Sequence, residues 1–158
     1  MKKLLLLRHG NASSRIGNMT DYDRPLDNTG KNQIALIANK LEERINLPNI
    51  IIASTALRAI SSAKIIQSKN TNIKLTGTET LYSASIFEYI DILTTIKDNV
   101  ESIMLVAHNP TISGFISKIT GKHIGMGTGN LCILEIDIEK WSDLSFRSPV
   151  INSTLINF

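Results

Sequence analysis

A chain of 158 residues suits one domain, residues 1–158, with a proper hydrophobic core. Its 42% hydrophobic and 20% charged content excludes a disordered or fibrous chain. A formal charge of +3 inclines it toward anionic partners but is far too small to argue for nucleic acid.

The chain begins MKKLLLLRHG. Its apolar run, Leu4 to Leu7, is too short for the roughly 7–15 residues of a secretory core and is closed at once by a charge. No stretch approaches the roughly 20 apolar residues of a membrane span. Cys132 is the single cysteine, so no internal disulfide forms. A cytoplasmic protein without a membrane partner is expected. Lys3 to Leu7 reads as a buried strand. Arg8 and His9 are costly to bury, and Gly10 permits a turn that most residues resist, so this strand delivers polar groups to one edge of a sheet.

Residues 10–29 show no period, and a loop of that length inside a compact domain is usually functional or mobile. From Lys31 to Glu43 the pattern is helical, with Ile34, Ile37, Ala38 and Leu41 on one face and Asn28 or Thr29 as the cap. IIIAS, residues 50–54, is a second buried strand. A helix from Ala56 to Ser68 follows, burying Leu57, Ile60, Ala63 and Ile66. Residues 73–82 hold a short strand and a loop. Phe87, Ile90 and Leu93 mark a third helix, opened by Ser85 and Glu88 at capping-box spacing. SIMLVAH, residues 102–108, is another apolar strand and ends on a histidine. Asn109 and Pro110 suit the start of the next helix, Ile112, Phe115, Ile116 and Ile119 its buried face, and Gly121 its stop. Residues 130–138 alternate at their end, which fits a strand near an edge or with one wet face. Apolar strands alternating with amphipathic helices predict an α/β sandwich with a mostly parallel central sheet.

In such sheets ligands bind beyond the carboxyl ends of the strands. Arg8 and His9 stand at one such end, Ser54 at a second with Arg58 in the helix that follows, and His108 and Asn109 at a third. Taken singly, each histidine or arginine is as well explained by packing or an ion pair. Together they describe a phosphate site. Guanidinium groups grip phosphate oxygens in a fixed fork, helix N-termini add N–H donors, and a neutral imidazole can attack phosphorus. His123 lies among glycines in GKHIGMGTGN and reads as a solvated loop residue. That segment matches neither a P-loop nor a dinucleotide fingerprint. Cys132 reads as a small core residue. The three histidines lack metal-ligand spacing.

These residues bring a family into view. LLRHGNA resembles the RHG signature of the histidine phosphatase superfamily. LRHGNA, DYDRPLDNTG, STALRAISSA and LVAHNP together are similar to its SixA-like phosphohistidine phosphatases, and TGNLCILEID to a late strand of that family. The resemblance runs from residue 4 to about 138. It implies a three-layer, phosphoglycerate-mutase-like fold and a hydrolase with no metal or organic cofactor. It further implies that His9 is the nucleophile and is transiently phosphorylated. Arg8 and Arg58 hold the phosphoryl group, His108 completes the pocket, Arg24 lies near it, and Asn11 donates to the phosphate through its side chain or backbone.

Ester-cleaving members carry a carboxylic acid near the leaving group, because an alkoxide leaves poorly. Here Glu79 and Glu88 are the available carboxylates, and Glu88 has a competing use as a capping residue. An imidazole leaving group needs less help. The expected substrate is therefore a phosphohistidine carried by a phosphorelay or phosphotransferase protein, placing the enzyme in signal transduction. The short chain leaves the pocket open to such a partner. Two alternatives stand beside this one: a phosphomonoesterase for a small phosphorylated metabolite, and a phosphate-binding module without turnover.

Overall fold

The computed structural model describes residues 1–157. Six strands form one sheet: β1 (Lys2–Arg8), β2 (Ile50–Ser54), β3 (Lys74–Thr78), β4 (Ser102–Ala107), β5 (Leu131–Ile136) and β6 (Val150–Ile156). Their spatial order is β3-β2-β4-β1-β5-β6. The first four run parallel to one another, whereas β5 is antiparallel to β1 and β6 antiparallel to β5. Five helices connect them: α1 (Asn28–Lys40), α2 (Leu57–Gln67), α3 (Thr80–Ser83), α4 (Ile86–Thr94) and α5 (Thr111–Thr120). A π-helical turn, Leu41–Ile45, extends α1, and a 3-10 turn covers Trp141–Asp143.

The leucine run of β1 serves two cores, because successive strand side chains point to opposite faces. Leu4 and Leu6 pack with Tyr89, Leu93, Ile112, Phe115, Ile116 and Trp141 on one side of the sheet. Leu5 and Leu7 pack with Ile34, Ile37, Leu41, Ala59, Ala63 and Ile66 on the other. Helices thus cover both faces of a mixed sheet, giving the expected three-layer α/β sandwich.

Several local expectations change. The cap of α1 is Asp27, whose Oδ1 accepts the Gly30 N–H at 2.7 Å, rather than Asn28 or Thr29. Leu57 is 41% exposed and Phe87 64% exposed, so neither is core. On α4 the buried pair is Tyr89 and Leu93, and Phe87 instead meets Phe146 edge to face. No side chain caps α5: Asn109 Nδ2 donates to the Met126 carbonyl, and its Oδ1 accepts from Ser113 Oγ. The capping box of α4 and the left-handed Gly121 that ends α5 are both present. β5 lies near the edge of the sheet as expected, with β6 as the edge strand beyond it. In the sequence VINSTLI of β6 the polar Asn152, Ser153 and Thr154 interrupt the apolar residues and most of the strand is exposed, so it shows no apolar run like those of β1, β2 and β4. Among the described residues no helix is long and apolar enough to cross a membrane.

Candidate active site

The β1–β4 register pairs Arg8 with Ala107, which sets His9 and His108 side by side just past the two central strands. Their ring centroids are 4.9 Å apart. β2 lies on the other side of β4, and its terminal Ser54 hydroxyl meets His108 Nε2 at 2.8 Å. Arg58, in the first turn of α2, donates from Nε to His9 Nε2 at 3.2 Å. His9, Arg58 and His108 are all buried.

Backbone contacts hold this arrangement. The Gly10 N–H donates to Ser62 Oγ at 3.1 Å, and the Ser62 hydroxyl donates to the Arg58 carbonyl at 2.7 Å. One buried hydroxyl therefore ties the segment carrying His9 to the helix carrying Arg58. Gly10 is required here for closeness rather than for an unusual backbone angle, since a Cβ on it would lie 2.5 Å from the Gly30 carbonyl oxygen. Gly129, in the glycine-rich loop after α5, has φ +72° and donates its N–H to the His9 carbonyl at 2.9 Å. In the same loop the Met126 carbonyl accepts Arg8 Nη1 at 2.8 Å. The Arg8 Nε is buried and has no partner among the described residues.

Residues 10–29 are pinned at their base. Ala12 bridges Leu26, and the Ser13 N–H donates to the Pro25 carbonyl. The far part of the loop reaches α2, where the Leu57 N–H donates to the Tyr22 carbonyl at 3.0 Å. Asp21 Oδ2 accepts from Arg58 Nη2 at 2.9 Å and from the Tyr82 hydroxyl at 3.1 Å, while Oδ1 accepts from Arg24 Nη1 at 2.9 Å. Arg24 also donates from Nε to the Ser13 carbonyl. Asn11 is occupied elsewhere: its Nδ2 donates to Asp27 at 2.6 Å and its backbone N–H to Gln33 Oε1. The structure thus gathers His9, His108 and Arg58 closely. Arg8 and Arg24 are near enough for their charges to act on His9, and Asn11 is bound to the start of α1.

Burial, opposed in part by the Gly10 carbonyl and reinforced by Arg58, Arg8 and Arg24, pushes the His9 pKa down to about 4. Burial, with His9 and Arg58 beside it, takes His108 down to about 3, against an opposing pull from Asp21. Both rings are neutral near pH 7. Burial and then Arg58 also lower the pKa of Arg8. Arg24 above all, with Arg58 and Tyr82, holds the Asp21 carboxyl well below the usual carboxylate range. Glu88 accepts the Ser85 N–H at 2.7 Å within its capping box, and this bond lowers its pKa. Glu79 is exposed just after β3. His123 is exposed, and burial raises the Cys132 thiol to about 11. Among the described residues no group of three His, Cys, Asp or Glu is placed to hold a metal ion.

Residues 4–85 match the family model of the histidine phosphatase superfamily, branch 1. The chain belongs to the histidine phosphatase superfamily. An uncharacterised protein of Mycobacterium leprae is 31% identical over 129 residues, covering 78% of this chain and 74% of that one. Among solved structures, a protein of Agrobacterium tumefaciens assigned as the phosphohistidine phosphatase SixA superposes with a TM-score of 0.82. It is 25% identical and covers 97% of each chain. A mycobacterial glucosyl-3-phosphoglycerate phosphatase superposes at 0.71 with 15% identity, covering 96% of this chain and 98% of its own. The superfamily and its SixA-like members support a phosphatase, acting on phosphoryl substrates.

The family model stops at residue 85, and His108 lies beyond it; its strand lies between β1 and β2, which brings it beside His9. Three contributors escape sequence reasoning. Asp21 opens the DYDRPLDNTG stretch, but nothing in that stretch marks its carboxylate as a site group. Tyr82 sits in a segment without a period. The Met126 carbonyl is a backbone group, which no side-chain pattern reveals.

Proposed function

We propose that the protein is a protein-phosphohistidine phosphatase that hydrolyses the P–N bond through a phospho-His9 intermediate. One observation carries this reading. His9 Nδ1 lies 2.8 Å from the Gly10 carbonyl, which can only accept, so Nδ1 keeps the ring proton and Nε2 carries the lone pair. With its pKa near 4, that imidazole is unprotonated and nucleophilic at neutral pH.

In the first step His9 Nε2 attacks phosphorus in line with the substrate P–N bond. The Arg58 Nε–H, released from Nε2, passes to a phosphoryl oxygen. The P–N bond breaks and its electron pair returns to the substrate ring nitrogen. With a proton on that ring's other nitrogen, the leaving group is neutral imidazole and needs no acid from the enzyme. Phospho-His9 then carries a positive ring with Nδ1–H on the Gly10 carbonyl. Water attacks phosphorus, the P–N bond of phospho-His9 returns its pair to Nε2, and the product departs as dihydrogen phosphate, keeping both protons of the water. Arg8 and Arg58 stabilise charge on the equatorial oxygens in both steps. Ser54 Oγ accepts the Ala56 N–H at 3.3 Å and lies 2.8 Å from His108 Nε2, and in this mechanism its hydroxyl donates to that nitrogen. This leaves a proton on His108 Nδ1, a buried atom with no partner among the described residues, for a phosphoryl oxygen.

The carboxylates favour this chemistry over ester cleavage. Glu88 is engaged in its helix cap, and Asp21 stays ionised among cations, so neither is a proton donor at neutral pH. Of the two candidate acids, Glu79 and Glu88, the exposed Glu79 is left for a phosphomonoesterase. The substrate would be a phosphohistidine displayed by a phosphorelay or phosphotransferase protein. Rapid quench with a radiolabelled phosphohistidine carrier tests the reading. An acid-labile label should appear on His9, decay with turnover, and be absent in His9→Ala. Full turnover by His9→Ala, or kcat/KM higher on alkyl phosphates than on phosphohistidine, would overturn it. Vanadate binding without turnover would mark a binding module.

A further inference from the structure

Asp21 receives more polar contacts than any site residue named from the sequence, and no step above uses it. Its Oδ2 accepts from Arg58 and Tyr82, its Oδ1 from Arg24, and its backbone carbonyl from Arg58 Nη1. Arg15 Nη2 stands 3.8 Å from Oδ1. Arg58 is therefore held from two directions: Asp21 takes both terminal nitrogens, and His9 Nε2 takes Nε. Rotation of the guanidinium would break the contacts to Asp21. We propose that Asp21 is a positioning residue for catalysis, whose carboxylate fixes the direction of Arg58 so that its Nε–H points at the reacting nitrogen of His9.

The geometry supports this over a role as proton donor. A carboxyl shared by two guanidiniums and a phenol stays ionised at neutral pH. It also supports it over a purely structural role. Ala12–Leu26 and Ser13–Pro25 already close the base of the loop without Asp21, and α2 is joined to Gly10 through Ser62. What Asp21 adds is the orientation of one long, otherwise rotatable side chain beside the nucleophile. Misplacing a catalytic group by about 1 Å costs on the order of 100-fold in rate. The inference rests on the phosphatase reading, with Arg58 as phosphoryl ligand.

The decisive experiment is a double-mutant cycle with Asp21→Asn, Arg58→Ala and the pair, assayed on a phosphohistidine carrier. Asp21→Asn should lower kcat/KM by roughly 10- to 100-fold, mainly through kcat. In the Arg58→Ala background the same change should matter less than about threefold, because nothing remains to be aimed. An undiminished effect in that background overturns the proposal, as does an Asp21→Asn enzyme with wild-type or faster turnover. Asp21→Glu keeps the charge and moves the carboxylate, so it should also lose activity. Wild-type kcat there would show that charge alone matters, and would overturn it too. Two readouts are independent of turnover. In Asp21→Asn the ¹⁵N resonance of His9 Nε2 should shift as the Arg58 bond is lost, and vanadate should bind more weakly. An unmoved resonance or tighter vanadate binding contradicts the proposal. If the wild type leaves phosphohistidine intact, the phosphohistidine reading fails, while these two measurements still decide how Asp21 acts on Arg58.

Discussion

His9 must keep an electron pair available at Nε2 and yet sit among cations that attract phosphate. Burial and those same cations keep the ring unprotonated, and the Gly10 carbonyl decides which nitrogen is free. Arg58 is the side chain on which this balance turns, since it touches His9 and Asp21 together. Lysine at this position would keep the charge but lose the planar fork, and one ammonium cannot serve His9 Nε2 and both Asp21 acceptors in the same directions. Arg58→Lys is therefore expected to lower kcat/KM by roughly 100- to 1000-fold, the scale of losing one aimed donor at a developing charge. Steady-state kinetics on a phosphohistidine carrier measure this, and a loss under threefold would show that charge without direction is enough. Single residues were also the most legible level of the sequence. His9, His108 and Arg58 stand out because they interrupt or follow apolar runs at strand ends. Asp21 and Tyr82 do not, because their importance lies in contacts across 37 and 61 positions of chain.

Secondary elements position these groups through a few buried polar links. The capping box of α4 was legible because it is local, a serine and a glutamate three positions apart. The joint between β1 and α2 was not, although it matters more to the site. Ser62 accepts from Gly10 and donates to the Arg58 carbonyl one helical turn earlier, at full burial. A serine in mid-helix gives no sequence sign of such a partner 52 residues away. Ser62→Ala would leave the Gly10 N–H buried without its acceptor, a cost of about 1–3 kcal/mol. Urea unfolding should show that loss, with a lower kcat as Gly10 and Arg58 drift apart. Stability within about 0.5 kcal/mol of wild type would mean that the link is dispensable. β6 was missed for the opposite reason. Its pairing with β5 rests on backbone hydrogen bonds, which are blind to side-chain type, and its exposed residues mix Ile151 and Leu155 with Asn152 and Thr154, so no clean alternation marks it.

For the molecule as a whole, the order of strands turns separate motifs into one site. The chain reaches β4 only after 101 residues, yet β4 lies between β1 and β2, so His108 arrives beside His9 and Ser54. Alternating strands and helices made the layers legible, but the neighbours of each strand depend on the crossovers, which no local pattern encodes. This convergence has a consequence for folding stability. Two imidazoles with pKa values of about 4 and about 3 in the folded protein return to about 6.5 when the chain unfolds. Below pH 6.5 the unfolded chain therefore binds more protons than the folded one, and stability falls as pH falls. The stabilisation from both rings is complete above that point. It is lost progressively down to about pH 4 for His9 and about pH 3 for His108. Each ring contributes a slope of up to about 1.4 kcal/mol per pH unit, so moving from pH 7.5 to pH 5 should cost roughly 4 kcal/mol at most. Asp21 adds to the loss only below about pH 4, where the unfolded carboxyl takes up a proton that the folded one, held well below the usual range, does not. Urea unfolding at the two pH values measures the difference, and His108→Asn should remove about half of it. A flat profile between pH 7.5 and 5 would mean that both rings accept protons freely in the folded state, and that they do not share the dry, cationic pocket on which the proposed chemistry depends.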